Sequence, residues 1–114
     1  MLFVLVGLVG SVLVGPAAFA TIDECAVGRT CLWDNAGYDS YIGSRPPGGG
    51  ISNVSATAAD RTSSWANRSD TDAAWYPDVN GGGTCRNMPS HTRDPELTLF
   101  VRDTLSSWKT NGSC

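Results

Sequence analysis

The hexapeptide Asp-x-x-Ser-Ser-Trp occurs twice in this chain, as "DRTSSW" from Asp60 and as "DTLSSW" from Asp103, at an offset of 43 positions. The same offset sets Ser63 over Ser106, Ser64 over Ser107, Trp65 over Trp108, Leu32 over Trp75 and Trp33 over Tyr76. Each half therefore opens on an aromatic stretch and closes on the shared motif. Repeats of about 40 residues have the size of a four-stranded Greek key, and a single key cannot cover its own apolar face, so two copies pack together. The expected keys run from about residue 25 to 67 and from about 73 to 114.

The first twenty residues, "MLFVLVGLVGSVLVGPAAFA", stand outside that pattern. They carry no charge, their apolar run is broken by Gly15 and Pro16, and Ala18 and Ala20 supply small side chains at the end. This is the layout of a secretory signal peptide cut before Thr21. A membrane anchor is the competing reading, but it calls for about 20 unbroken apolar residues. The expected product is a secreted, extracellular domain, Thr21 to Cys114, with no membrane segment after cleavage, and a monomer.

That domain is lean in apolar side chains, roughly a third of its residues, so burial alone stabilises it weakly. Its four cysteines, Cys25, Cys31, Cys85 and Cys114, all follow the cleavage site, and export favours disulfides. Three connectivities are open to four cysteines. The short "AVGRT" segment between Cys25 and Cys31 favours a local bridge, which leaves Cys85 for Cys114. Zinc is disfavoured, because paired C-x2-C units are missing and the chain has one histidine.

Short apolar runs separated by turn residues point to an all-β fold. "ELTLFVRD" alternates with a period of two, and "TCLWDNAGY", "ISNVSATA", "DAAWYPDV" and "TCRNM" are further candidate strands. "SRPPGGG" and "NGGG" read as exposed turns.

An aromatic strand, a Gly-rich hairpin and a closing Asp-x-x-Ser-Ser together resemble the βγ-crystallin superfamily, two Greek keys in a sandwich. "CAVGRTCLWDNAGY" with the two Ser-Ser-Trp segments resembles, more closely, the secreted bacterial proteins of peptidase inhibitor family I36. The resemblance implies a binding protein, not an enzyme, with an extracellular protease as its partner. Its reactive segment in inhibitor-type members corresponds to Thr84, Cys85, Arg86, Asn87, Met88 and Pro89. A disulfide beside the contact residues would supply rigidity and lower the ordering cost of binding. The family pattern has a cysteine just after the proline, where this chain has Ser90. The competing structural reading makes residues 80 to 95 a long hairpin stapled to the C-terminus.

The resemblance also raises calcium, with Asp60, Ser63, Asp103 and Ser106 as candidate ligands. Calcium needs six to eight oxygens in a negative field. The position before each Asp is Ala59 in one half and Arg102 in the other, so one carboxylate is missing and one guanidinium repels a cation. The favoured reading is structural: Asp60, Ser63, Ser64, Asp103, Ser106 and Ser107 hold turns, and Trp65 and Trp108 fill the core. No cofactor is expected. A structural or weakly calcium-binding module and a small secreted toxin are the alternative functions.

The net charge of −3 and the scattered basic residues argue against a nucleic-acid partner. A hydrolase would need His91 as base, and its neighbours Ser90, Thr92 and Asp94 do not compose a triad. Asp34, Asp39, Asp70, Asp72 and Asp78 read as loop acids, not as a glycosidase pair. Asn53, Asn67 and Asn111 begin Asn-x-Ser tripeptides that matter in a glycosylating host.

Overall fold

In the computed structural model the described residues are 22–55, 61–97 and 104–114. Asp60, Asp103 and most of "ELTLFVRD" lie outside them, as does the leader. The order is β1 (Thr30–Asn35), β2 (Asp39–Arg45), β3 (Ser52–Asn53), β4 (Ser64–Asn67), β5 (Ala73–Tyr76), β6 (Arg86–Met88), β7 (Thr92–Asp94) and β8 (Ser107–Lys109). Short helical turns cover Ile22–Glu24 and Val79–Gly81.

The strands make two four-stranded antiparallel sheets, β2-β1-β4-β7 and β3-β8-β5-β6. Each sheet takes three strands from one half and its third-strand edge, β7 or β3, from the other. The fold is thus all-β, two Greek keys interlocked in a sandwich, and the hairpin considered for residues 80 to 95 does not form: β6 and β7 belong to different sheets.

The 43-residue offset recurs in the backbone. Ser63 N–H donates to Trp33 O and Ser106 N–H to Tyr76 O, both at 2.9 Å. Leu97 N–H donates to Ser63 O, and Val54 N–H donates to Ser106 O, which carries each half's third segment across to the other sheet. In the first hairpin Gly37, Tyr38 and Ser40 have left-handed φ of 74°, 63° and 62°; in the second Asn80, Gly81 and Gly83 have 57°, 76° and 82°. The same folded loop is therefore built twice, once with glycine at one of the three positions and once with glycine at two.

Ser64 and Ser107 explain why the motif repeats. Ser64 Oγ donates to Asn35 O at 2.7 Å and accepts from Tyr38 N–H at 3.2 Å. Ser107 Oγ donates to Asp78 O at 2.6 Å and accepts from Gly81 N–H at 2.9 Å. Each hydroxyl thus clamps the folded hairpin of its own half. Both serines are fully buried and begin strands β4 and β8, so the motif is a strand start rather than the turn expected from its polar residues. A buried hydroxyl is stable there because donor and acceptor capacities are both used.

The interior between the sheets is Leu32, Trp65, Ala73, Trp75, Met88, Leu97, Leu105 and Trp108. Leu32 faces Trp65 across β1 and β4, as Trp75 faces Trp108 across β5 and β8. Alternation sends Trp33 to the opposite face, where Cys25, Cys31 and Ala66 enclose it and Ile22 and Tyr38 pack beside them. Glu24 Oε1 accepts the indole N–H of Trp33 at 2.9 Å, so the segment before β1 acts as a lid on the first sheet. The two disulfides are Cys25–Cys31 and Cys85–Cys114.

Candidate functional site

The segment around Cys85 begins where the second folded hairpin ends. That hairpin is rigid: Asp78 N–H donates to Gly82 O, Gly82 N–H to Val79 O, and Asn80 N–H to Asn53 Oδ1. Gly83 lies so close to Pro77 that a Cβ there would meet the ring Cγ at 2.4 Å, in a backbone conformation that already favours glycine. The chain leaves this scaffold through exposed Thr84 and enters the Cys85–Cys114 bridge.

Residues 86–88 then form β6, which pairs with β5 through Arg86 opposite Trp75, Asn87 opposite Ala74 and Met88 opposite Ala73. β6 is the edge of its sheet, with no further described strand beyond it. Arg86 and Asn87 are exposed, whereas Met88 is fully buried. Met88 is thereby removed from the expected contact surface, because strand alternation turns it into the core beside Trp75 and Leu97. Asn87 Oδ1 accepts Cys114 N–H at 2.8 Å, fastening the C-terminus to the strand beside the disulfide. Beyond exposed Pro89, Ser90 N–H donates to Asp72 Oδ1 at 2.9 Å, and Thr92 Oγ1 donates to Pro89 O.

Both flanks of 84–87 are therefore pinned while its outer edge faces solvent. A groove of about 350 Å³ runs beside it, between β6 and β7, lined by Trp65, Trp75, Cys85, Arg86, Asn87, Asp94 and Leu97. The Arg86 guanidinium lies 5.8 Å from the Trp75 ring centre. Two parts of this site, the Trp75 platform and the Asp72 tether, escape sequence reading; the 43-residue offset does mark Trp75, as the counterpart of Leu32.

Among the described residues, the others singled out in the sequence do not converge. His91 Nε2 lies 2.5 Å from Asp70 Oδ1, both exposed, and no bond joins it to Ser90 or Asp94 among the described residues. Asp34 pairs with Arg61 at 2.7 Å, Asp39 accepts from Asn35, and Asp72 holds Ser90. Burial moves two other titratable side chains, raising the pKa of Tyr38 and lowering that of Arg45. Ser63 and Ser106 are buried, and the hydroxyl of Ser106 donates to Thr104 O. Asn67 is buried, its amide donating to Thr71 O and Met88 O, which withholds it from glycosylation in the folded chain.

The profile of peptidase inhibitor family I36 matches residues 18–88, more than half of the chain and up to the core end of β6. The chain belongs to family I36. No curated protein matches this I36 member. Solved βγ-crystallin domains match its fold. One, described in connection with the evolution of the eye-lens βγ-crystallin fold, is 19% identical with a TM-score of 0.61, covering 73% of this chain and 84% of its own. The domain from Clostridium beijerinckii is 22% identical with a TM-score of 0.58, covering 71% and 94%. That from Flavobacterium johnsoniae is 22% identical with a TM-score of 0.57, covering 75% and 98%. At these identities the likeness concerns the fold, and it supports the sandwich as the frame on which the I36 chain carries its edge strand. Membership of an inhibitor family makes a protease the partner in general terms, and two disulfides accord with an extracellular setting.

Proposed function

We propose that the protein is a secreted protease inhibitor that presents Thr84–Asn87 to the cleft of an extracellular protease. One observation carries the reading: the segment is exposed at a sheet edge yet held at both ends. An extended strand with free edge groups can add to another strand, the mode in which main-chain hydrogen bonds supply affinity and side-chain pockets supply specificity. Pinning it beforehand removes the ordering cost that a flexible peptide meets on binding.

The same geometry resists turnover. A cut at any bond between Cys85 and Cys114 leaves both pieces joined by the disulfide. Upstream, the glycine hairpin stays clamped by Ser107; downstream, Met88 stays anchored in the core. A cleaved bond would remain in place instead of releasing product.

The test is titration of thermolysin-like and subtilisin-like proteases, with a trypsin-like enzyme alongside, by the oxidised Thr21–Cys114 chain and by its Arg86→Ala, Asn87→Ala variant. Stoichiometric inhibition that the variant weakens while keeping its melting temperature supports the reading. A folded, disulfide-intact chain that inhibits none of the three would overturn it.

A further inference from the structure

The outer face of the first sheet carries a second concave site. One wall is the loop between Cys25 and Cys31, fixed by that disulfide and by Arg68: Gly28 N–H donates to Arg68 O at 2.8 Å, Arg68 N–H to Arg29 O at 2.8 Å, and Arg68 Nη1–H to Cys25 O at 2.7 Å. The other wall is β7, where strand alternation turns Asp94 toward the groove beside β6 and leaves Arg93, opposite Ala66, on the outer face. Between the walls lies a pocket of about 360 Å³ lined by Arg68, Arg93 and His91, with Ile22 and Val27 as its apolar side. Val27 is 78% exposed, the most open large apolar side chain among the described residues.

The chain carries a net charge of −3, yet no described carboxylate lines this pocket. Asp70 holds His91 at the rim, and Asn67 at the floor is engaged with Thr30, Ser69, Thr71 and Met88. Arg93 is exposed and makes no hydrogen bond or ion pair among the described residues, and Arg68 commits only Nη1. The duplication shows that the fold does not require these cations. The 43-residue offset sets His91, Thr92 and Arg93 over Gly48, Gly49 and Gly50, and Arg68 over Asn111. Thr92 faces Asn67, and in the other half Gly49 O accepts Thr110 N–H at 2.8 Å, so the same place in the ladder is filled without charge.

We infer that this pocket binds a carboxylate carried on a short apolar group. It is built from residues other than Thr84–Asn87, so binding there does not depend on the inhibitor reading. A guanidinium presents a planar fork of N–H donors that a carboxylate accepts bidentately. Two guanidinium groups in one pocket also repel each other, and an anion between them relieves that repulsion. An inorganic anion would leave Ile22 and Val27 in water, whereas an aliphatic tail beside the carboxylate covers them. That chemistry occurs free, as a small branched acid, and at the C-terminus of a peptide ending in an aliphatic residue.

The test titrates the oxidised Thr21–Cys114 chain with 4-methylpentanoate and with an N-acetylated tetrapeptide ending in leucine, each beside its amide, and with sulfate, followed by backbone amide NMR. Expected are saturable shifts at Val27, Arg68 and Arg93 with the carboxylates and not with the amides or sulfate. Arg93→Gln weakens binding about tenfold or more, the size of one charge-assisted hydrogen bond, and Val27→Asp, which brings its own carboxylate, abolishes it. Both positions are exposed, and melting temperatures check that the variants stay folded. Tighter binding of the peptide supports the inference with a peptide terminus as the source, and equal binding supports it with the free acid. Absence of saturable shifts up to about 10 mM ligand overturns it. So do equal shifts with the amides or sulfate, and an affinity that Arg93→Gln leaves unchanged.

Discussion

At the scale of single residues, the two motif serines carry equal duties, and this gives a paired prediction. Ser64→Ala removes the hydroxyl partner of the Asn35 carbonyl and the Tyr38 N–H; Ser107→Ala removes that of their equivalents at Asp78 and Gly81, all in part-buried bonds. Each substitution is expected to cost about 1–3 kcal/mol, for the loss of two hydrogen bonds at about 0.5–1.5 kcal/mol each. Urea unfolding measures it, and a clear loss in one variant with none in the other would break the equivalence of the halves. Tyr38 gives a second prediction. Its hydroxyl is buried with no partner among the described residues, and burial raises its pKa above the usual 10.0. The unfolded chain then releases this proton first, so the contribution is intact below about pH 10 and is lost as pH climbs through the folded-state value. Tyr38→Phe keeps the ring against Trp33, 5.0 Å between centres, and should flatten the decline in stability above that pH. Urea midpoints of the two proteins from about pH 8 to pH 11 decide it, and parallel declines would sink the idea. The sequence marks these serines as turn formers, the ordinary role of an exposed Ser-Ser pair. Their burial follows from a hairpin folding back over them, a long-range contact that local propensity does not record.

At the scale of elements, what was legible depended on burial. β1 and β5 lie inside their sheets, and their apolar and aromatic residues announce them. β2 and β7 are sheet edges, carrying "DSYIGSR" and "TRD", and no apolar alternation separates them from loops. β4 and β8 were concealed differently: their buried faces include serine, asparagine and alanine, residues that signal no strand until the hydrogen bonds of Ser64 and Ser107 are counted. The disulfide pairing was readable because a five-residue gap favours a local bridge. Met88 was not readable as core, since only the pairing of β6 with β5 fixes which side chains of the segment after Cys85 point inward. The Cys85–Cys114 bridge spans 29 residues, and replacing both with serine is expected to lower stability by about 3–4 kcal/mol in the chain-entropy description. If Thr84–Asn87 is the protease-binding strand, the same variant loses inhibition even at temperatures where circular dichroism shows it folded. Unchanged inhibition by a folded double variant would separate the bridge from the site.

At the scale of the whole molecule, the exchange of third strands makes the two keys one folding unit. The first key without the second keeps β2-β1-β4 but loses β7, and its β3 has no sheet to join. Leu97 N–H and Val54 N–H, which bind Ser63 O and Ser106 O across the halves, lose their acceptors. Arg45 of β2 would lose its bond to Trp108 O on β8 and its place 5.3 Å from the Trp108 ring centre. The interior is shared in the same way, Leu32 and Trp65 from one half meeting Trp75, Met88, Leu97, Leu105 and Trp108 from the other. A fragment of such size exposes most of that apolar surface to water, and small domains have little stability to spare. The full oxidised chain should therefore melt in a single cooperative transition, while separate peptides Thr21–Asp72 and Ala73–Cys114 show no native near-ultraviolet signal from their tryptophans. Calorimetry on the full chain and circular dichroism on the fragments make the comparison. A fragment that melts cooperatively by itself would show that an independent key exists without the borrowed strand, and that the duplication is one of two self-sufficient units and not of two interlocked ones.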